Sequence, residues 1–200
     1  TAFNSKPDTY AFVFQQTHRG GLSDSFPFLK YTIPEIENVS RKLRFQGTRA
    51  YLFTGSNASE ASFRKAIDSL KPVLLHFATH GFTLAGSITS EGVNKSYTAS
   101  QNPLLRTGLV MAGGNKGWKA QNNWDEDDGI LTGMEIANMQ LPNTELVVLS
   151  ACETANGEIK GSEGVFGLQR AFKLAGAKYI MATLWQVPDK QTKEFMELFY

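Results

Sequence analysis

The sequence contains a single cysteine among 200 residues, so no disulfide can form within the chain. This excludes a small disulfide-stabilised scaffold and suits a reducing, cytoplasmic location. One cysteine and three scattered histidines also lack the spacing of a zinc site. Neither a P-loop nor a dinucleotide-binding glycine motif occurs, and we therefore expect no metal and no organic cofactor.

Long apolar runs and an excess of one charge are missing as well. No stretch reaches membrane-spanning length, and the N-terminus TAFNSKPDTYAF lacks the charged-then-apolar order of a signal peptide. A formal net charge of +1, without a dense basic run, argues against a nucleic-acid surface. The chain begins without Met and stops at TKEFMELFY, within an amphipathic pattern, so we expect a fragment of a longer protein.

Short apolar runs alternate with helical patterns along most of the chain. Buried parallel strands are predicted at residues 50–53, 73–79, 146–151 and 178–185. Amphipathic patterns predict helices over 32–47, 57–70 and 163–176. We expect a capping box at the start of each of the first two, Thr32 with Glu35 and Asn57 with Glu60. This alternation predicts an α/β fold with a parallel sheet covered by helices.

Residues 83–129 interrupt the alternation and are rich in Gly, Ser, Asn and charge. Within them, PLLRTGLVMAG at 103–113 predicts a short strand pair, and a further strand is predicted nearer the N-terminus at YAFVFQ (10–15). A connection of this length in a compact domain is usually functional or mobile.

Reactive side chains follow two of the predicted strands. LLHFATHG ends its strand at His80 and Gly81, and VVLSACET ends its strand at Cys152. Ligands and catalysis gather outside the carboxyl ends of parallel strands, so neighbouring strands would bring imidazole and thiol together. An imidazole lets a thiol react as thiolate and then protonates the leaving amine. The backbone N–H groups of Gly81 and Cys152 are the natural donors to the oxyanion.

Each residue also has an ordinary structural interpretation. A lone cysteine is most often a small buried core residue, and His80 alone could be a hydrogen-bonded structural histidine. We assign that structural role to His76, which lies inside the apolar run. The combination of His-Gly at one strand end and Cys at another favours the catalytic interpretation.

HFATHGF, NPLLRTGLVMAGGN and the long stretch from DDGILTG to LWQVPD together resemble the CHAT domain over roughly residues 31–200. CHAT domains are caspase-like cysteine peptidase domains, related to separase and often carried behind tetratricopeptide repeats. The resemblance implies a caspase-like three-layer α/β/α sandwich with a mostly parallel central sheet. It implies that His80 is the general acid/base and Cys152 the nucleophile. The implied domain spans residues 31–200, follows a poorly matched segment at 1–30 and contains a long insertion at 83–129.

The resemblance also suggests how a substrate is bound. LWQVPD is similar to a separase stretch in which an acidic residue binds a basic P1 side chain, which implies a substrate-binding role for Asp189. At a helix start beside Pro188, Asp189 is also an ordinary N-terminal residue. Ser150, Glu153 and Trp185 lie in the matched motifs and are assigned to substrate binding too.

The sequence therefore predicts a regulated cysteine endopeptidase that cleaves a protein partner, with a preference for a basic P1 residue. The alternative is a catalytically silent CHAT-fold scaffold or switch that binds protein partners. We expect a protein or peptide substrate, an upstream repeat or regulatory region in the full-length chain, and no nucleic acid or membrane bound by this domain.

Overall fold

The computed structural model describes residues 26, 28–84, 102–119, 127–151, 163–183 and 187–200. Six strands are described: β1 (Leu74–Ala78), β2 (Gly81–Thr83), β3 (Thr107–Val110), β4 (Ile130–Thr132), β5 (Leu146–Ser150) and β6 (Tyr179–Ala182). Six α-helices are described: α1 (Thr32–Phe45), α2 (Glu60–Leu70), α3 (Gly114–Lys119), α4 (Gly133–Ala137), α5 (Glu163–Ala175) and α6 (Asp189–Phe199). No helix in these ranges is long and apolar enough to cross a bilayer.

The first sheet has the order β1-β5-β6, and both of its strand pairs are parallel. Helices cover its two faces. On one face, Phe77 and Leu149 pack with Phe63 of α2 and Phe172 of α5. Alternate residues of each strand point to the opposite face. There Val148 packs with Val39 and Leu43 of α1 and Met196 of α6. The fold is therefore an α/β/α sandwich around a parallel sheet, which confirms the predicted fold class.

A second, antiparallel sheet has the order β2-β3-β4. Leu109 and Leu131 on one of its faces extend the main core, while Phe82, Val110 and Ile130 on the other pack with Trp118 of α3. The described part of 83–129 thus contributes a fully buried strand and a short helix. The expected strand pair at 103–113 is wrong, because a single strand, β3, forms there and pairs with β2 and β4.

Three further local predictions differ from the structure. Residues 50–53 form no strand, because the Ala50 carbonyl accepts hydrogen bonds from the Arg44 guanidinium, at 2.7 and 3.3 Å, instead of from a neighbouring strand. Glu35 makes no capping box, since its carboxylate lies in the core beside His76. The second helix begins at Glu60 with Ser59 as N-cap, whose side chain accepts the N–H of Ser62.

Other predictions agree with the structure or fall outside the described ranges. The two helix ends predicted at glycines are confirmed, because Gly47 and Gly176 both have positive φ, 81° and 109°. This left-handed conformation follows many helices and favours glycine. The strand predicted at 10–15 lies outside the described residues.

A buried carboxylate joins α2 to the start of α4. Glu60 accepts the Gly129 N–H at 2.8 Å and pairs with Arg64 at 2.8 Å, and the same guanidinium reaches Glu135, also at 2.8 Å. Glu135 in turn forms a capping box with Thr132. One guanidinium therefore serves two carboxylates, one of them fully buried.

Candidate active site

The carboxyl ends of β1 and β5 lie side by side. Their register pairs Phe77 with Leu149 and, at the last rung, Ala78 with Ser150. Because the strands are parallel, the residues that follow Ala78 and Ser150 leave the sheet at the same edge. His80 follows Ala78 by two positions, and Cys152 follows Ser150 by two positions.

His80 lies in the short connection between the two sheets. Its carbonyl accepts the Val110 N–H at 2.9 Å, and the preceding Thr79 hydroxyl donates to the Val110 carbonyl at 2.5 Å. The residue is 2% exposed. Val110 of β3 therefore holds the His80 backbone through its N–H and the Thr79 side chain through its carbonyl.

Gly81 begins β2 and is close to the end of β5. A Cβ built on Gly81 would lie 3.7 Å from the Ala151 Cβ and 3.8 Å from the Gly108 carbonyl oxygen. These are ordinary van der Waals separations, so no described neighbour requires glycine at this position. The distance to the Ala151 Cβ also shows that the start of β2 lies close to Ala151, the residue before Cys152 in the sequence.

An aromatic cluster packs against the histidine. The Phe26 ring lies 5.5 Å from the His80 ring, centroid to centroid, and is tilted by 34°. Trp118 makes an edge contact with Phe26 at 4.8 Å and another with Phe82 at 5.0 Å. No sequence pattern connects Phe26 to His80, because Phe26 belongs to none of the motifs that resemble the family.

The side chain of Asn115 fixes Phe26. Its Oδ1 accepts the Phe26 N–H at 2.7 Å, and its Nδ2 donates to the Phe26 carbonyl at 3.2 Å. Both polar groups of the Phe26 backbone are thereby satisfied by one amide of α3. Asn115 was not predicted as a site residue, although it is the last residue of the motif NPLLRTGLVMAGGN.

Asp189 is the first residue of α6, and its Oδ2 accepts the Tyr31 N–H at 2.8 Å. Burial raises the pKa of the Asp189 carboxyl, the backbone N–H groups of Tyr31 and Lys30 oppose this shift, and the charge of Glu35 adds to it. The carboxylate thus caps the N-terminus of α1, where negative charge is favourable.

The remaining predicted site residues are distributed as follows. Ser150 is the last residue of β5 and is buried. Cys152, Glu153 and Trp185 lie outside the described residues.

His76 has the structural role that was predicted for it. Its Nε2 pairs with the Glu35 Oε1 at 2.9 Å and its Nδ1 with the Tyr200 hydroxyl at 3.0 Å, and both His76 and Glu35 are fully buried. These contacts join β1 to α1 and to the end of α6. Because both of its ring nitrogens have partners within the protein, His76 is not available to a substrate.

Comparison with known proteins adds three findings. The sequence pattern of the CHAT domain family matches residues 5–200. A stretch of 71 residues is 38% identical to Tetratricopeptide repeat protein 28 of Homo sapiens and, also at 38%, to the protein of the same name in Mus musculus. This stretch is 36% of this chain and 3% of each relative, so the chain spans only a small part of the curated relatives it matches.

Among solved structures, a flavodoxin of Streptococcus pneumonia TIGR4 aligns with 96% of this chain and 94% of its own at 12% identity, with a TM-score of 0.43. The family match, by contrast, spans nearly the whole sequence and includes the strands and helices that carry His80, Gly81 and Ser150. The protein belongs to the CHAT domain family.

Proposed function

We propose that this CHAT domain is a cysteine endopeptidase in which His80 and Cys152 form the catalytic dyad. The observation that carries the proposal is the register of β1 with β5, which ends at Ala78 opposite Ser150. Two positions beyond each of these residues come the imidazole and the thiol. The 3.7 Å between a Cβ built on Gly81 and the Ala151 Cβ supports the same juxtaposition.

In the first half of the reaction, His80 takes the proton of the Cys152 thiol, and the sulfur attacks the scissile carbonyl carbon. The tetrahedral oxyanion accepts hydrogen bonds from the backbone N–H groups of Gly81 and Cys152. When the intermediate collapses, the C–N bond breaks, and His80 gives its proton to the leaving amine. The acyl group remains on sulfur as a thioester.

In the second half, a water molecule replaces the departed amine. His80 removes a proton from this water as its oxygen attacks the thioester carbonyl. The C–S bond then breaks, the carboxylic acid is released, and the sulfur leaves as thiolate or recovers the proton from His80. The reaction consumes one water per peptide bond and needs no oxidant or reductant.

We propose that a basic P1 side chain is recognised by Asp189, with Ser150, Glu153 and Trp185 contributing to substrate binding. Asp189 begins α6, the helix that follows β6, and Tyr31 donates to one of its oxygens. A carboxylate has more acceptor sites than one N–H occupies, so it can also bind a guanidinium or ammonium group. Such a cation would offset the effect of burial, which raises the pKa of Asp189.

The relatives named Tetratricopeptide repeat protein 28 support a proposal about the full-length chain. We propose that it carries an upstream repeat or regulatory region that binds the protein substrate and controls cleavage. We also propose a reducing compartment such as the cytoplasm, in which the single thiol stays free.

A comparison of wild-type, Cys152→Ala and His80→Ala forms of the full-length protein tests the proposed function. Each is incubated with candidate partner proteins, and new N-termini are identified by mass spectrometry. New termini should appear with the wild type alone. Equal cleavage by the wild type and Cys152→Ala would refute the mechanism, and absence of cleavage by every form would favour the scaffold alternative. Asp189→Asn, which keeps an acceptor for Tyr31, should lose the preference for Arg or Lys at P1.

A further inference from the structure

We infer that Phe26 is a positioning residue for the His80 imidazole and that Asn115 holds Phe26 in that place. This inference rests on the proposed function, because it concerns the histidine of the proposed dyad. Phe26 lies outside the motifs that resemble the family, and the resemblance assigns no role to Asn115, the last residue of NPLLRTGLVMAGGN.

The ring of Phe26 contacts the imidazole ring of His80. At 5.5 Å and a tilt of 34°, the Phe26 ring lies within the range of favourable aromatic contacts with the His80 ring. His80 is 2% exposed, so protein atoms rather than bulk water surround its imidazole. The Phe26 ring therefore restricts rotation of the imidazole on the side it covers.

Phe26 itself is held by side chains of α3. Asn115 binds both the N–H and the carbonyl of Phe26, at 2.7 and 3.2 Å. The Trp118 edge packs against the Phe26 ring at 4.8 Å. Both contacts come from α3, a helix that packs on the second sheet through Val110 and Ile130. Phe26 is thus fixed to the same sheet that fixes the backbone of His80.

A general acid/base must be oriented for proton transfer. Proton transfer between sulfur, imidazole and leaving amine depends on an imidazole held within a narrow range of orientations. An aromatic ring beside the imidazole restricts its orientation and also stabilises the imidazolium that forms transiently, since the ring face attracts cations. Removing the ring should therefore slow the chemical step and leave substrate binding largely unchanged.

The alternative is that Phe26 only fills space in the cluster with Phe82, Val110, Trp118 and Ile130. The two roles separate in matched variants. Phe26→Leu keeps an apolar side chain but removes the ring, whereas Phe26→Tyr keeps the ring. For the hydrogen bonds between Asn115 and Phe26, Asn115→Asp keeps the acceptor for the Phe26 N–H and removes the donor to the Phe26 carbonyl. The control is Asn143→Asp, which makes the same change in an exposed turn.

Two readouts on the full-length protein decide the matter. The first is steady-state kinetics on a cleaved partner protein. We expect Phe26→Leu to lower kcat by about tenfold with KM within about twofold of wild type. Phe26→Tyr should retain most of the wild-type kcat, Asn115→Asp should show a smaller loss than Phe26→Leu, and Asn143→Asp should show none.

The second readout is the NMR signal of the His80 ring in histidine-labelled protein, which needs no catalytic activity. With three histidines in the sequence, His80→Gln assigns the signal. Phe26→Leu should shift it, through the loss of the Phe26 ring current, and alter its titration. An unchanged His80 signal in Phe26→Leu, or unchanged kcat there, overturns the inference. If no form of the protein cleaves a partner, the proposed function fails, and an unchanged His80 signal in Phe26→Leu would still overturn the contact between the two rings.

Discussion

Replacement of Glu60 by Gln should change the pH dependence of stability more than any other single change in the described helices. Glu60 is fully buried, and burial raises the pKa of its carboxyl to about 8. The charges of Glu135 on α4 and of Asp128 add to this effect, whereas the Gly129 N–H and the Arg64 guanidinium oppose it. Arg64 is shared with Glu135, so it cannot fully neutralise either carboxylate.

The raised pKa of Glu60 determines whether the free energy of unfolding rises or falls with pH. The folded protein holds the Glu60 proton up to about pH 8, whereas the unfolded chain releases it near 4.5. Between these values the folded state binds more protons, so the free energy of unfolding falls as pH rises. Each unit of pKa difference is worth about 1.4 kcal/mol, which gives a total decline of about 5 kcal/mol for this group. Below about pH 4.5 the Glu60 carboxyl is protonated in both states and does not lower the free energy of unfolding. Above about pH 8 it is ionised in both states, and the decline in the free energy of unfolding is complete.

The assay is urea unfolding followed by tryptophan fluorescence, for wild type and Glu60→Gln, between about pH 5 and pH 9. The variant cannot ionise at this position, so its stability relative to wild type should rise up to about pH 8 and then level off. Titrating groups remote from Glu60 cancel in the difference, whereas Glu135 and Asp128, whose charges act on Glu60, contribute to it. Glu145→Gln is the matched control, because Glu145 is 52% exposed and pairs with Lys178 on the surface. A difference between wild type and Glu60→Gln that stays constant with pH would refute the reasoning, since Glu60 would then be ionised in the fold.

Two further predictions concern backbone and packing. Gly167→Ala would place a Cβ 2.8 Å from the Thr107 Cγ2, and we expect a loss of about 1–3 kcal/mol in unfolding free energy. In a double-mutant cycle, the Thr107→Ser background, which lacks this methyl group, should remove most of that loss. Lys71 ends α2 with φ of 48°, so Lys71→Gly should gain about 0.5–1 kcal/mol in chemical unfolding. Lys71→Ala keeps the left-handed strain, and an equal gain there would contradict this explanation.

The parallel sheet could be predicted because its strands are buried on both faces. Runs such as LLHFA and LVVLS are apolar at nearly every position, which marks them as covered strands without any knowledge of their partners. The glycines at 47 and 176 end helices for a purely local reason, their positive φ. Local signals of this kind are sufficient for the α/β/α class and for the strand ends that carry His80 and Ser150.

The second sheet and the surroundings of His80 depend on contacts that are distant in the sequence. Strands β2 and β4 have three residues each, too short for a periodic pattern. Glu35 fits a capping box by spacing, yet it lies in the core because His76 provides a buried partner on β1. The contact between Phe26 and His80 has no sequence signal at all, since it arises only when α3 closes against the second sheet.

His80 lies in the connection between the two sheets, and elements of both sheets surround it. Its backbone follows β1 in the chain but is hydrogen-bonded to Val110 of β3, and Phe26 is fastened to α3. The histidine is therefore held by the antiparallel sheet, whereas Ser150 and Ala151 continue from the parallel one. Leu109 of β3 and Leu149 of β5 belong to one hydrophobic core, so a displacement of β3 relative to the parallel sheet would disturb packing that the two sheets share.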